Sequence, residues 1–271
     1  MTSYLLPYGK SFQTVEAEPG LSDLILPNEI QEAPEPGKLI YNALKNPLEF
    51  DPAPYKNCRS VAIAVNDKTR PVPHDVILPP LMTWLSEQGI ANESIKFWIA
   101  TGSHPPMSPE EYPKILPVEI CSTYSIESHN IDDLSNLVDL GSTRRGTPIQ
   151  VNRKYYQSDL KIVVGDIEPH HFAGFSGGYK TAAIGLAGRD TINTNHRMLQ
   201  DPNAWIAVYE ENPLRQDIEE IGAKIGESDQ IAITPHVTHA IELGLELPDL
   251  IDLILDLYRL LRDLLSHRGV V

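Results

Sequence analysis

The sequence lacks the features that mark several common classes of protein. Its 271 residues include two cysteines, Cys58 and Cys121, which are too few for a disulfide framework and too far apart for a CxxC metal site. No window approaches the roughly 18 uninterrupted apolar residues of a membrane span. The first residues, MTSYLLPYGKSFQ, lack the charged and apolar regions of a signal peptide. We therefore expect a cytoplasmic protein without a membrane partner.

Positive charge is also scarce. The chain has 22 lysines and arginines against 37 aspartates and glutamates, which gives a net charge of −15. So acidic a chain has no basic stripe to neutralise phosphates, and this argues against nucleic acid as a partner. An anionic substrate would have to bind where a few cations are focused in a cleft. Candidates for those cations are Arg70, Arg144, Arg145 and Lys180.

Three short apolar segments predict buried strands. They are RSVAIAV at 59–65, IKFWIA at 95–100 and LKIVVG at 160–165. Each is followed by a polar loop and then by helical spacing, first over residues 77–88. This repeated order predicts an α/β fold, a mostly parallel, Rossmann-like sheet with helices on both faces.

The chain divides into three parts by composition. Residues 1–57 are rich in proline and acid, which predicts an extended arm that packs on the main domain. Residues 58–225 contain the predicted strands and form the catalytic and cofactor domain. Residues 226–271 end in a leucine-rich segment with helical spacing, ELPDLIDLILDLYRLLRDLLSHRG. We expect this tail to form a helix on the sheet, with an oligomer contact as the alternative.

Ionisable side chains follow each of the three predicted strands. The first strand is followed by Asp67, Lys68 and Arg70, the second by His104, and the third by Glu168, His170, His171 and Lys180. Because the carboxyl ends of parallel strands lie at the same edge of a sheet, these loops should meet there. The pattern predicts one active site at that edge.

A glycine-rich turn at 174–181 nearly matches the phosphate loop of nucleotide-binding proteins. Tyr179 stands where that loop needs its second glycine, and residues 166–173 intervene between the strand and the turn. A nucleotide site is therefore disfavoured. Gly177 and Gly178 still permit positive φ and leave backbone N–H groups bare, which suits a phosphate or another anion.

Each histidine near these loops also has a structural interpretation. His104 could cap its loop, His196 could be a core histidine within the helical spacing of TINTNHRML, and one of His170 and His171 could face solvent. Because the segments that carry these histidines are expected to lie close to Lys180, a shared site is favoured. The remaining histidines lack such company and are interpreted as ordinary: His74, His129, His236, His239 and His267.

Four segments resemble one known family. They are NDKTRPVP (66–73), ATGSHPPM (100–107), EPHHFAGFSGGYK (168–180) and TINTNH (191–196). In order and spacing they are similar to the amino-terminal domain of the nickel-dependent lactate racemases, which racemise or epimerise 2-hydroxy acids. The resemblance covers roughly residues 5–225. It implies the fold of that domain and a nickel-pincer nucleotide, the nickel complex of pyridinium-3,5-bisthiocarboxylic acid mononucleotide.

The resemblance implies how the cofactor is held. Lys180 looks like the lysine that bonds covalently to the cofactor, and His196 looks like the protein ligand of the nickel. A flat pincer leaves one in-plane position on Ni(II), which an imidazole nitrogen fills well. Ser176, Gly177 and Gly178 look like the residues that hold the cofactor phosphate.

The resemblance also implies the chemistry. The Cα proton of a 2-hydroxy acid is too weakly acidic for a histidine to remove, whereas hydride can pass to an electron-poor cofactor while a base takes the hydroxyl proton. His104 and His170 look like the two general acid/bases, one for each enantiomer. Asp67 and Arg70 look like the residues that orient a catalytic histidine and the substrate.

Departures from the family pattern keep alternatives open. Members are usually longer and have a second domain that closes over the cofactor, a domain that we expect to be absent here. Tyr179 stands where many relatives carry arginine, and His171 where an aromatic residue is common. Besides a racemase with a small 2-hydroxy acid substrate and cofactor-synthesis proteins as partners, two hypotheses remain. One is a catalytically incomplete cofactor-binding or scaffold protein, and the other is a nucleotide-dependent transferase that uses the turn at 174–181.

Overall fold

The computed structural model describes residues 2–18, 20, 35–46, 52–70, 72–226 and 230–233. They divide into two compact units, residues 1–34 and 35–271. The helical tail expected over 226–271 lies outside the described residues, except for Gly226 and a strand at 230–233. None of the helices in the described ranges is long and apolar enough to cross a membrane.

The described residues form strands, α-helices and short 3-10 helices. The strands are β1 (Thr2–Tyr8), β2 (Ser11–Ala17), β3 (Val61–Asn66), β4 (Ile95–Ala100), β5 (Ser125–Ser128), β6 (Leu137–Ser142), β7 (Pro148–Asn152), β8 (Leu160–Val164), β9 (Pro169–His170), β10 (Gly174–Phe175) and β11 (Gln230–Ile233). The α-helices are α1 (Pro36–Lys45), α2 (His74–Glu87), α3 (Val118–Thr123), α4 (Arg153–Tyr156), α5 (Tyr179–Ala183), α6 (Arg189–His196) and α7 (Pro213–Ile225). Short 3-10 turns connect several of them.

Residues 1–57, expected to form an extended arm, contain regular structure. In the first unit β1 and β2 pair as an antiparallel hairpin in which Tyr8 lies opposite Ser11. The two-residue turn between them begins with Gly9 at φ 60°, a conformation that glycine adopts without strain. In the second unit α1 buries Ile40 and Leu44 in the core. The proline-rich composition of residues 1–57 had not indicated either the hairpin or the helix.

The main sheet confirms the predicted α/β fold. Its five strands run parallel in the order β11, β8, β3, β4, β5. Because side chains alternate along a strand, β3 points Val61, Ile63 and Val65 to one face and Ala62 and Ala64 to the other. Both faces are covered by helices, as parallel sheets require.

The cores on the two faces of the sheet differ in the size of their side chains. On the first face, large side chains of α1, α2 and α3 pack on the sheet, including the buried Trp84. On the second face, α5, α6 and α7 pack on small residues, and Ala182 and Ala183 of α5 lie in the same cluster as Ala62 and Ala64. Small side chains on both sides let the backbone of α5 lie close to the strands. This brings the start of α5 close to the carboxyl edge of the sheet.

The strand register aligns the ends of the three predicted strands. Asn66 pairs with Ala100, and Val65 pairs with Val164, so β3, β4 and β8 end at the same level. The loops after them therefore leave one edge of the sheet, as the sequence predicts.

The approach of α5 to β4 depends on Gly185. A Cβ at this residue would lie 2.3 Å from the Thr181 carbonyl oxygen and 2.6 Å from Ala100 Cβ. We expect Gly185→Ala to lower the free energy of unfolding by about 1–3 kcal/mol, because the added methyl overpacks a rigid contact. Chemical denaturation measures this change.

Gly37→Ala is the matched control. Gly37 lies near the start of α1 with nothing within 4 Å of its Cβ position. There alanine should leave stability unchanged or raise it by up to about 1 kcal/mol. Equal unfolding free energies for Gly185→Ala and the wild type would contradict the close contact.

Candidate functional site

The loop after β3 holds a buried carboxylate that orients His104. Asp67 is 4% exposed, and its Oδ1 accepts hydrogen bonds from the Thr69 N–H at 2.9 Å and the Thr69 hydroxyl at 2.6 Å. Its Oδ2 lies 2.7 Å from His104 Nδ1. Because a carboxylate only accepts, His104 donates from Nδ1 and keeps a lone pair on Nε2. The half-exposed ring is thereby prepared to accept a proton.

Arg70 connects this loop to the rest of the site. Its backbone N–H donates to the Asp67 carbonyl at 3.0 Å, and its side chain is exposed. The Arg70 charge contributes to lowering the pKa of both His170 and Lys180, so its guanidinium lies near both groups.

His170 is buried and neutral in the small hairpin formed by β9 and β10. Its Nδ1 accepts a hydrogen bond from the Ala173 N–H at 3.2 Å, so the neutral ring carries its proton on Nε2. Burial, then the neighbouring Lys180, His171 and Arg70, lower the pKa of His170 to about 3. His170 therefore presents a donor where His104 presents an acceptor.

Aromatic packing places His170 near His196. His170 stacks on His171 with ring centres 4.6 Å apart. Phe172 packs edge-to-face with both His170 and His196, and its ring centre lies 4.5 Å from that of His170 and 5.2 Å from that of His196. His171 faces solvent while His170 is buried, the division that the sequence allowed for this pair.

His196 ends helix α6 on the other side of Phe172. Burial and the nearby Lys180 lower its pKa to about 4, so the ring is neutral near pH 7. Its Nδ1 lies 3.1 Å from Asn195 Oδ1. Neutral imidazole is the form that binds metal ions.

Lys180 lies in the first turn of α5, partly buried among cations. Burial, followed by the charges of Arg70 and Arg215, lowers its pKa to about 8. Part of the lysine is therefore an uncharged, nucleophilic amine near neutral pH.

Arg215 is a site residue that sequence reasoning missed. It lies on α7, is 6% exposed, and donates from Nη1 to the Phe175 carbonyl at 2.8 Å. Its guanidinium also pairs with Glu219 one turn along the helix. The sequence contained a signal for its burial, because Arg215 lies at helical spacing from Ile218 and Gly222, on the buried face of α7.

The glycine-rich turn is tightly braced from within. The Ser176 hydroxyl donates to the Asp166 carbonyl at 2.8 Å and accepts from the Glu168 N–H at 3.0 Å. Gly177 has φ 70°, and a Cβ there would lie 2.6 Å from the Asp166 carbonyl oxygen. The hydroxyl of Ser176 is thus occupied by the loop itself. A phosphate-holding role for Ser176, Gly177 and Gly178 stays a prediction.

The residues at 174–181, which resemble a phosphate loop in sequence, have packing roles in the structure. Residues 165–178 separate β8 from α5 and include the β9–β10 hairpin, whereas a phosphate loop joins strand and helix directly. Gly174 is needed because a Cβ there would lie 2.1 Å from the Val208 carbonyl oxygen. The ring of Tyr179 packs over Gly222, where a Cβ would lie 2.3 Å from Tyr179 Cγ. These contacts disfavour the transferase hypothesis.

Other candidates lie apart from the site. Arg144 and Arg145 are exposed in the turn between β6 and β7, and no contact in the described ranges joins them to the site. His74 and His129 are buried and lie 2.8 Å and 2.9 Å from backbone carbonyl oxygens. His236, His239 and His267 lie outside the described residues.

The described residues contain no cluster of three or more histidine, cysteine, aspartate or glutamate side chains that could hold a metal ion.

Comparison with known proteins shows which family the chain resembles. The family model described as the lactate racemase N-terminal domain matches residues 8–207. The lactate racemase of Thermoanaerobacterium thermosaccharolyticum is 30% identical over 186 residues, which is 66% of this chain and 43% of that protein. The lactate racemase of Lactiplantibacillus plantarum is 32% identical over 184 residues, with the same shares.

The fold is also similar to that of a solved structure. The lactate racemase apoprotein from Thermoanaerobacterium thermosaccharolyticum superposes with a TM-score of 0.73 at 28% identity, over 83% of this chain and 54% of that chain. The chain spans less than half the length of the two curated relatives.

The crowding of cations around Lys180 is testable in cofactor-free protein. We expect competitive acetylation, mapped by mass spectrometry across pH, to label Lys180 with a midpoint near pH 8. Removing a neighbouring cation favours the charged amine, so Arg70→Gln should raise this midpoint. Arg145→Gln, which removes an exposed cation elsewhere, should leave it unchanged. A midpoint above 10 in the wild type would refute the crowding.

Proposed function

The chain belongs to the lactate racemase N-terminal domain family, and from this premise we propose that it racemises or epimerises a small 2-hydroxy acid with a nickel-pincer nucleotide attached to Lys180. The observation that carries the proposal is the grouping of Lys180, whose pKa is lowered to about 8, with two neutral imidazoles, His170 and His196. The proposal also requires other proteins to synthesise the cofactor.

The donor set fits the cofactor. Lys180 offers an amine that can form a covalent bond near neutral pH, and His196 offers a neutral imidazole to the metal. When bound, the cofactor would supply an electron-poor carbon that takes hydride from the substrate Cα and returns it. We propose that Ser176, Gly177 and Gly178 lie beside its phosphate, with the backbone N–H groups of Gly177 and Gly178 as the donors, because the Ser176 N–H already donates to the Glu168 carbonyl at 2.8 Å.

Two histidines with opposite proton arrangements would handle the substrate oxygen. His104, held by Asp67, has a free Nε2 that can take the hydroxyl proton of one enantiomer. His170 is neutral and carries its hydrogen on Nε2, so it offers a hydrogen-bond donor to the substrate oxygen. As the base for the opposite enantiomer it would take the hydroxyl proton on Nε2 once its own hydrogen has moved to Nδ1, and the proton taken by either histidine returns to the oxygen when the hydride returns to Cα. The exposed guanidinium of Arg70 is the candidate partner of the substrate carboxylate.

A cofactor-binding protein without turnover is the second candidate. It is favoured by the exposure of His104 and Arg70, which leaves water access to half of the catalytic set. Hydride transfer is expected to need a site from which water is excluded. Activity measurements on cofactor-loaded protein separate the two candidates.

The attachment of the cofactor is tested by intact mass and nickel content after coexpression with cofactor-synthesis proteins. We expect the wild type to carry the adduct and nickel, and Lys180→Ala to carry neither, because the covalent bond is lost. Lys154→Ala, at an exposed lysine, is the control and should keep both. Full adduct and nickel in Lys180→Ala would show that the attachment site is wrong.

The acid/base roles are tested with L-lactate deuterated at C2, followed by chiral chromatography and mass spectrometry. Hydride transfer predicts D-lactate that retains deuterium. His104→Gln and His170→Gln should keep nickel but slow racemisation by about 10²- to 10⁴-fold. His171→Gln, at the exposed neighbour, should change it far less. Loss of the label to solvent would contradict hydride transfer, and loaded protein without turnover would favour the second candidate.

A further inference from the structure

Two fully buried polar residues lie behind His196 and have no part in the chemistry described so far. Asn195 precedes His196 at the end of α6, and Asp217 lies on α7. Both are 0% exposed. Burying an amide and a carboxylate is unfavourable unless their hydrogen bonds are made, so their partners indicate what they do.

The partners of Asn195 determine which way its amide faces. Its Nδ2 lies 2.9 Å from Asp217 Oδ2 and 3.1 Å from the Leu214 carbonyl oxygen. The Leu214 carbonyl oxygen can only accept a hydrogen bond, and so can Asp217 as a carboxylate, whose other oxygen, Oδ1, has no hydrogen-bond partner among the described residues. The reversed amide would place Asn195 Oδ1 against two oxygens, so Nδ2 must face α7. Asn195 Oδ1 is thereby directed at His196 Nδ1, 3.1 Å away.

An amide oxygen in this position determines the tautomer of the histidine. Oδ1 can only accept, so Nδ1 of His196 carries the hydrogen and Nε2 keeps its lone pair. We infer that Asn195 and Asp217 are positioning residues that hold His196 as the Nδ1–H tautomer and so reserve Nε2 for a metal ion. The metal part of this inference rests on the proposed function.

The choice of an amide instead of a carboxylate has a physical reason. A carboxylate directly on His196 would stabilise the imidazolium form, so that protons would compete more strongly with a metal ion for Nε2. An uncharged amide orients the ring without favouring a positive charge. The same cleft shows the contrast, because His104 is held directly by the Asp67 carboxylate and is the residue proposed to gain a proton. Outer partners of this kind are known to orient metal-binding histidines and raise their affinity.

The tautomer is measured in cofactor-free protein by long-range ¹H–¹⁵N correlation of the histidine rings, with His196 assigned from His196→Gln. The wild type should show His196 protonated on Nδ1. Asn195→Leu, which removes the acceptor, should shift His196 towards the Nε2–H form that histidine favours in water. Asn193→Leu, at an exposed residue of the same helix, is the control and should change nothing.

A second pair of variants tests Asp217. Asp217→Asn keeps an acceptor for Asn195 and should preserve the Nδ1–H form, whereas Asp217→Leu should lose it. If the leucine variants do not fold, the wild-type spectrum still decides. An Nε2–H form in the wild type, or an unchanged tautomer in folded Asn195→Leu, would overturn the inference.

Nickel retention in cofactor-loaded protein separates this inference from the proposed function. We expect Asn195→Leu to keep the covalent adduct on Lys180 but to bind nickel about 10- to 100-fold more weakly. An Nδ1–H tautomer in a wild type that takes up neither adduct nor nickel would leave the positioning role intact and refute the proposed function. An adduct with unchanged nickel affinity in Asn195→Leu would refute the metal part of the inference alone.

Discussion

The site depends on the cost of adding positive charge to a small, partly desolvated cleft. Lys180, His170 and His196 could each carry a proton, and they lie beside the permanent cations of Arg70 and Arg215. Burial and mutual repulsion both favour the uncharged forms. Near neutral pH the cleft therefore offers a nucleophilic amine and two unprotonated imidazoles, the states that covalent attachment and metal binding need.

The fold creates this crowding through backbone proximity. Parallel pairing aligns the ends of β3, β4 and β8, so their loops meet at one edge. Small residues under α5, with Gly185 at its end, bring Lys180 to the same edge. Helix α7 then supplies Arg215 and Asp217 from the far side of α5 and α6. The result is that Arg70, His170, Lys180, His196 and Arg215, from separate segments, act on one another electrostatically.

The features predictable from sequence were those that local pattern encodes. Buried strands, their common edge and the lowered exposure of one of His170 and His171 follow from apolar runs and parallel geometry. The buried partnerships were not predictable, because Asn195 and Asp217 or Lys180 and Arg215 meet only after folding. The segment after Ser108 shows a third case: Ser108 and Glu111 form the capping box that is typical of an α-helix start, but the chain forms a 3-10 helix that contains Pro113. A proline inside a helix removes a hydrogen-bond donor, which disfavours an α-helix there.

The titration of His170 tests this account most directly. Ring resonances of His170 in cofactor-free protein can be followed by NMR between about pH 5 and 8, the range in which an ordinary histidine changes charge. Burial, followed by the charges of Lys180, His171 and Arg70, lowers the pKa of His170 to about 3, so the ring should stay unprotonated throughout. A midpoint near 6.5 would mean that these groups do not share one desolvated cleft, and would contradict the account.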